Sequence, residues 1–315
     1  MKVLFLGTPE FAVPTLNELI AFPETEVVGV VCQPDRPAGR GNKVHVPPVK
    51  DVALKHGIPV LQPIKLAKEP EVVQAMRDLD PDLIVMVAFG QILKKEVLEL
   101  PKRGVMNLHG SLLPKLRGAA PINWSIMNGD TVAGITTMFT DVGVDTGPML
   151  LKAEVPLTDE MTSIDLAHAL STVGAKLVIT TIEKMLDGSL VAEPQDDSQH
   201  TYAPILTKDM GVIDWKWDAR KIHNRVRGLQ PWPGTVATFK GSQLKVWKTK
   251  VKAGLHGAAQ PGTLLIENGQ LLACCSENGS ERLELIEVQP ANKNRMSAQS
   301  WANGIHLKSG EERFD

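Results

Sequence analysis

"KVLFLGTPEFAVPTLNELIAF", Lys2 to Phe22, sets a strand and a helix side by side at the start of the chain. Its first residues are apolar without alternation, the pattern of a strand covered on both faces in a parallel sheet. After Gly7 the apolar spacing turns helical, with Thr8 or Pro9 near the helix start. The same unit recurs. "EVVGVVCQ" (26–33) reads as a second buried strand and "PVKDVALKHG" (48–57) as a helix closed by Gly57. Further strands are predicted at "PDLIVMVAFG" (81–90), "RGVMNLH" (103–109), "GITTMFTDVG" (134–143) and "MLLKAEVPL" (149–157). Helices are predicted at "APINWSIMNGD" (120–130) and over 163–188, closed by Gly188. Strands alternating with helices predict an α/β class with a Rossmann-like, doubly wound, mostly parallel sheet.

The first strand-to-helix turn, "GTPEFA" (7–12), carries one glycine where a dinucleotide fingerprint needs three, and no P-loop occurs. Nicotinamide chemistry is disfavoured and no nucleotide cofactor is expected. From about Glu193 the texture changes: "EPQDDSQHTYAP" (193–204) is polar and aperiodic, as in a linker. Beyond it, short β-like runs between turn residues predict a small, OB-like β-barrel. The expected division is a catalytic domain over 1–190, a linker over 191–205 and a barrel over 206–315.

At 315 residues, two domains are expected. A composition of 43% hydrophobic and 22% charged residues is that of a soluble globular protein. The net charge of -2 means that any polyanion site has to be local. Cys32, Cys274 and Cys275 fit neither a disulfide framework nor a zinc clip, so buried thiols and no metal are expected. Pro9 and Glu10 interrupt the first apolar run before signal-peptide length, and no run reaches a membrane span. A cytoplasmic protein is expected, with no membrane attachment and no obligatory protein partner.

The chemistry-bearing stretch is "NLHGSLLPKLRGAAPI" (107–122). On a strand, Asn107 and His109 share a face, and open α/β sheets bind ligands beyond the carboxyl ends of their strands. An uncharged amide donor beside an imidazole suits a carbonyl oxygen that becomes negative. In "DVGVDTG" (141–147), Asp145 is bracketed by glycines in a turn after an apolar strand. A carboxylate there can fix the imidazole tautomer. Spacing alone leaves Asp141 as a competitor.

These two motifs together resemble the formyltransferases that use 10-formyltetrahydrofolate. The resemblance implies that Asn107, His109 and Asp145 form a catalytic trio. It implies that Ser111, Leu112, Leu113 and Pro114 form a folate-binding loop, with Phe89 and Gly90 as walls of the same pocket. Within that family the resemblance runs the whole length, through "QPDRPAGRG" (33–41) and "PWPGTV" (231–236), to the branch whose acceptor is methionyl-initiator tRNA. The implied reaction is direct attack of the methionyl amine on the formyl carbon, with no metal. The alternatives are a formyltransferase for a small amine such as an aminosugar nucleotide, a formyltetrahydrofolate hydrolase, and a non-catalytic RNA-binding protein.

Local positive charge is present for such a partner. From Ala219 to Ile266 there is no Asp or Glu, while the segment holds nine Lys and Arg, Arg227 among them. Strict alternation along "LKVWKTKVK" (244–252) shares Lys245, Lys248 and Lys250 between two strand faces. Arg36, Arg40 and Lys43 lie in a Pro- and Gly-rich loop expected to lack regular structure and, by the resemblance, to meet the tRNA acceptor end.

Overall fold

In the computed structural model of the chain, residues 1–38, 43–254 and 257–315 are described. They divide into two units: 1–121, 132–156 and 167–203 form the first, and 122–131, 157–166 and 204–315 the second.

The strands of the first unit are β1 (Lys2–Gly7), β2 (Glu26–Val31), β3 (Arg36–Ala38), β4 (Lys43–His45), β5 (Val60–Leu61), β6 (Leu83–Val87), β7 (Val105–His109), β8 (Arg117–Gly118), β9 (Val132–Phe139), β10 (Met149–Pro156) and β11 (Tyr202–Ala203). Seven of them make one sheet in the order β10-β9-β7-β6-β1-β2-β5. From β5 to β7 every pairing is parallel; β9 and β10 turn antiparallel. β1, read as doubly covered, has residues 3–6 fully buried.

Helices α1 (Val13–Ala21), α2 (Pro48–Lys55), α3 (Pro70–Asp78) and α4 (Lys95–Leu98) follow strands of this sheet. The first three carry proline in their opening turn, where its missing N–H costs nothing. α2 and α3 also set an acid in the first turn and a base in the last, matching the helix dipole. α3 and α4 lay Val73, Met76 and Val97 against Leu4, Leu6 and Ile84 of the sheet in one buried cluster. α5 (Pro121–Asn128) and α6 (Ser163–Leu186) come next, and α6 ends before Gly188 at φ +77°.

The loop of Arg36, Arg40 and Lys43 departs from expectation at its flanks: β3 and β4 pair antiparallel, Arg36 opposite His45. Main-chain hydrogen bonding there has overridden the Pro and Gly content. Arg40 lies outside the described residues.

In the second unit, α7 (Ala219–Gly228) precedes β12 (Thr235–Phe239), β13 (Ser242–Val251), β14 (Leu264–Glu267), β15 (Gln270–Cys275), β16 (Glu281–Pro290), β17 (Met296–Ser297) and α8 (Ala298–Gly304). The sheet is antiparallel, in the order β12-β13-β16-β15-β14, with β17 on β16. An OB-like barrel was expected; among the described residues no ladder joins the edge strands β12 and β14. The apolar face is covered by helices instead, with Ile222 and Val226 of α7 and Trp301 of α8 in one core with Val246, Leu285 and Phe314.

Strict alternation also fails on β13. The register slips around Trp247, so Val246 and Thr249 point inward, at 1% and 3% exposure, while Lys245, Lys248 and Lys250 are all exposed. Trp247 on β13 and Ile286 on β16 are both left out of the pairing, and this irregularity resets the pleat.

Candidate active site

β7 is buried along its length; pairing on both sides fixes Asn107, opposite Met86 of β6 and Met138 of β9, and pairing with β9 fixes His109 opposite Thr136. Two residues apart, the carboxamide and the imidazole share a face, and they are only 8% and 5% exposed.

Asp145 reaches the imidazole from the loop between β9 and β10. Its Oδ2 lies 3.5 Å from Nδ1 of His109. The same oxygen accepts from the backbone N–H of Gly118 at 2.9 Å. The other ring nitrogen, Nε2, faces the carbonyl oxygen of Leu116 at 3.0 Å. Both ring nitrogens therefore look at acceptors, which orients the ring whichever nitrogen carries the proton. Asp141, equal to Asp145 by spacing, serves its own turn: its Oδ1 accepts from Gly143 N at 2.9 Å and from the Thr146 hydroxyl at 2.6 Å.

The Asp145 loop is tightly specified. Asp145 sits at φ +53°, a left-handed conformation that L-residues seldom adopt. A Cβ on Gly147 would stand 1.9 Å from the carbonyl oxygen of Phe139, so only glycine fits.

The loop after β7 is anchored rather than open. The Thr136 hydroxyl donates to Ser111 O at 2.6 Å and accepts from Leu113 N at 3.2 Å. The Ser111 hydroxyl, 3% exposed, donates to the carbonyl of Lys115 at 2.6 Å. Leu113 is buried with Met138 and Met149, and Leu112 packs where a side chain on Gly134 would clash. The side chains of Ser111, Leu112 and Leu113, with the main-chain bonds to Thr136, thus fix the loop. Phe89 is likewise core, at 2% exposure, and its carbonyl accepts from Gln33 Nε2 at 3.2 Å. Phe89 and Gly90, with Thr8, Gln33 and Pro47, line a cavity of about 450 Å³ beyond the carboxyl ends of β1, β2 and β6. Arg36 is on the same wall, its guanidinium donating to Gln33 Oε1 at 3.2 Å.

Other groups have no such chemistry. Cys32 is fully buried, and burial pushes its thiol up to about 11. Burial raises Cys274 and Cys275 as well. Arg227 is not a surface cation: it is 5% exposed and donates to the carbonyls of Thr158 and Met161 at 3.0 and 3.1 Å. Two residues escape the sequence reading altogether. Arg117 looks like one base among small residues, and Gln195 falls in the stretch that reads as a linker; the structure bonds Gln195 to the Asp145 loop and Arg117 to Gln195.

Residues 1–182 match the family "Formyl transferase" and residues 205–306 match "Formyl transferase, C-terminal domain". The chain belongs to the formyl transferase family. Among curated relatives, the methionyl-tRNA formyltransferase of Acetivibrio thermocellus is 47% identical over 313 residues, 99% of both chains. That of Trichlorobacter lovleyi is 48% identical over 311 residues, 98% of this chain and 96% of its own. Among solved structures, the N-formyltransferase of Helicobacter canadensis in complex with folinic acid and dTDP-3-aminofucose has the same fold, with a TM-score of 0.68 at 18% identity, covering 92% of this chain and 99% of its own.

Proposed function

We propose that this chain transfers the formyl group of 10-formyltetrahydrofolate to the free amino group of methionyl-initiator tRNA. The observation that carries the reading is the convergence of Asp145 on His109, two residues from Asn107 on one strand face. Identity of 47–48% with methionyl-tRNA formyltransferases along 98–99% of the chain favours the tRNA acceptor over an aminosugar.

The folate supplies an activated formyl carbon; the rest is done by side chains. Asn107 donates its carboxamide N–H to the formyl oxygen as that oxygen gains negative charge. One such donor is worth roughly 2.7–4 kcal/mol in an acyl transfer. His109, held by Asp145 at Nδ1, exchanges the Leu116 carbonyl at Nε2 for the reacting groups, where it adds a second donor and helps move the proton from the attacking amine to the leaving folate nitrogen, an effect of about 10²–10⁴-fold. A free α-amino group has a pKa of about 7.7–8.0, and an adjacent ester lowers it, so the nucleophile needs little activation. Cys32, its thiol pushed up to about 11, is not a competing nucleophile at neutral pH, consistent with direct transfer.

The folate fits an anchored backbone loop over 111–114 and the room beside Phe89 and Gly90. The tRNA is held by Arg36, Arg40 and Lys43 in the N-terminal part and by Lys245, Lys248 and Lys250 in the C-terminal part. Catalysis belongs to residues 1–190, and residues 206–315 serve RNA binding alongside the N-terminal loop.

A formyl-transfer assay tests this. Formyl donor is incubated with charged initiator tRNA, with an aminosugar nucleotide, and with no acceptor. Formylmethionyl-tRNA is expected; product only on the sugar, or formate release without an acceptor, overturns the reading.

A further inference from the structure

Residues 193–203 run across the loops that flank His109 and bond to each in turn. Glu193 exchanges two backbone hydrogen bonds with Met149, each 2.8 Å. Thr201 accepts from Leu116 N with its hydroxyl at 2.9 Å, and from Arg117 N with its carbonyl at 2.9 Å. Ala203 O accepts from Ala119 N and Ala120 N. The segment is therefore a strap, not a linker.

Its central bond is made by a side chain. Gln195 Nε2 donates to the carbonyl of Asp145 at 2.8 Å and to that of Gly147 at 2.7 Å, using both of its hydrogens. Its Oε1 accepts from Arg117 Nε at 2.9 Å. The guanidinium of Arg117, only 3% exposed, reaches on to Asp197 at 2.8 Å. The amide can face only one way: turned over, its oxygen would meet two carbonyls and its NH₂ a group that only donates. The residue after Arg117 is Gly118, whose N–H holds the Asp145 carboxylate. Asp145 is thus gripped by its side chain and by its main chain, and both grips lead back to positions 117–118.

We infer that Gln195, oriented by Arg117, is a positioning residue that sets the Asp145 carboxylate against His109. The inference rests on the proposed function, since it assigns Gln195 a part in that reaction. A left-handed aspartate has to be held by its surroundings, and Gln195 bonds to both its carbonyl and that of Gly147. Misplacement of a reacting group by about 1 Å costs on the order of 10² in rate.

The experiment measures kcat, both KM values and the pH profile of formyl transfer to charged initiator tRNA. The chains compared are wild type, Gln195→Ala, Gln195→Glu, Asp145→Asn, and Gln195→Ala combined with Asp145→Asn. Gln195→Ala is expected to lower kcat by about 10²-fold with both KM values within about 2-fold of wild type. Gln195→Glu has the same size and still pairs with Arg117, but lacks the two N–H donors; it is expected to lose the same activity and to change the pH profile. Added to Asp145→Asn, the Gln195→Ala change is expected to cost almost nothing further, because both act through one carboxylate. Additive losses, a loss confined to KM, or full activity in Gln195→Glu overturns the positioning role. An inactive wild-type chain instead overturns the proposed function, and this inference falls with it.

Discussion

Asp145 and Asp141 stand four residues apart in one loop, yet they have different work. Asp141 spends its acceptors on its own turn, whereas Asp145 turns its carboxylate to His109. Asp145→Asn is accordingly expected to reduce turnover by about 10²-fold or more, and Asp141→Asn to change thermal stability more than kcat; single-turnover assays and melting curves on the two variants check this. Ala at Asn107 or His109 should lower turnover by a comparable factor while tRNA affinity, measured by filter binding, stays within about 2-fold. A histidine away from the site, His223, couples stability to pH. His223 is 7% exposed and bonded to the Thr249 hydroxyl and the Asp159 carbonyl, and burial holds its pKa below the ordinary value. Between the folded and the ordinary pKa, the unfolded chain binds a proton that the folded chain does not. Stability is then complete above about pH 6.5 and falls as pH drops below it. Urea titrations from pH 5 to 7 should show that slope, and His223→Gln should flatten it.

The elements differ in how plainly the sequence announces them. β1, β2, β6 and β7 are legible because a doubly covered parallel strand has to be apolar throughout. α6 is legible from its long helical period and closing glycine. α7, "ARKIHNRVRG", escapes because its charges hide the apolar positions Ile222 and Val226, and because Arg227 is buried against carbonyls. The lysine row on β13 escapes because two adjacent register shifts between Val246 and Thr249 reverse the phase of the side chains after them. At the site, Asn107 and His109 can be read from a spacing of two, whereas the choice of Asp145 and the parts of Arg117 and Gln195 depend on contacts across about 30 to 80 residues of chain, which no local pattern encodes. Close packing at this level yields its own expectation. Gly118 lies at φ +116° and a Cβ there would come within 2.8 Å of the Ala203 carbonyl. Gly118→Ala should push the strap outward and loosen Asp145, lowering kcat by about 10-fold or more with the melting temperature reduced by a few degrees.

For the whole molecule, charge is a matter of placement rather than total. A chain of net charge -2 presents Lys245, Lys248 and Lys250 together on one exposed strand face. If each meets one phosphate, replacing all three by Gln should reduce the slope of log affinity against log salt by about 2 to 3. Turnover at saturating tRNA should be preserved, and filter binding between about 50 and 200 mM salt reads the difference.

The place of β7 in the larger sheet has a further consequence. Bordered by β6 as far as Asn107 and by β9 as far as His109, the strand that bears the pair lies inside the sheet rather than at its rim. Its amide protons are therefore expected to trade with deuterated solvent among the slowest in the first unit. Warming should fray the outer ladder of β2 with β5, two residues long, well before it reaches the reacting pair. Activity is then retained through partial opening and disappears only when the interior of the sheet gives way.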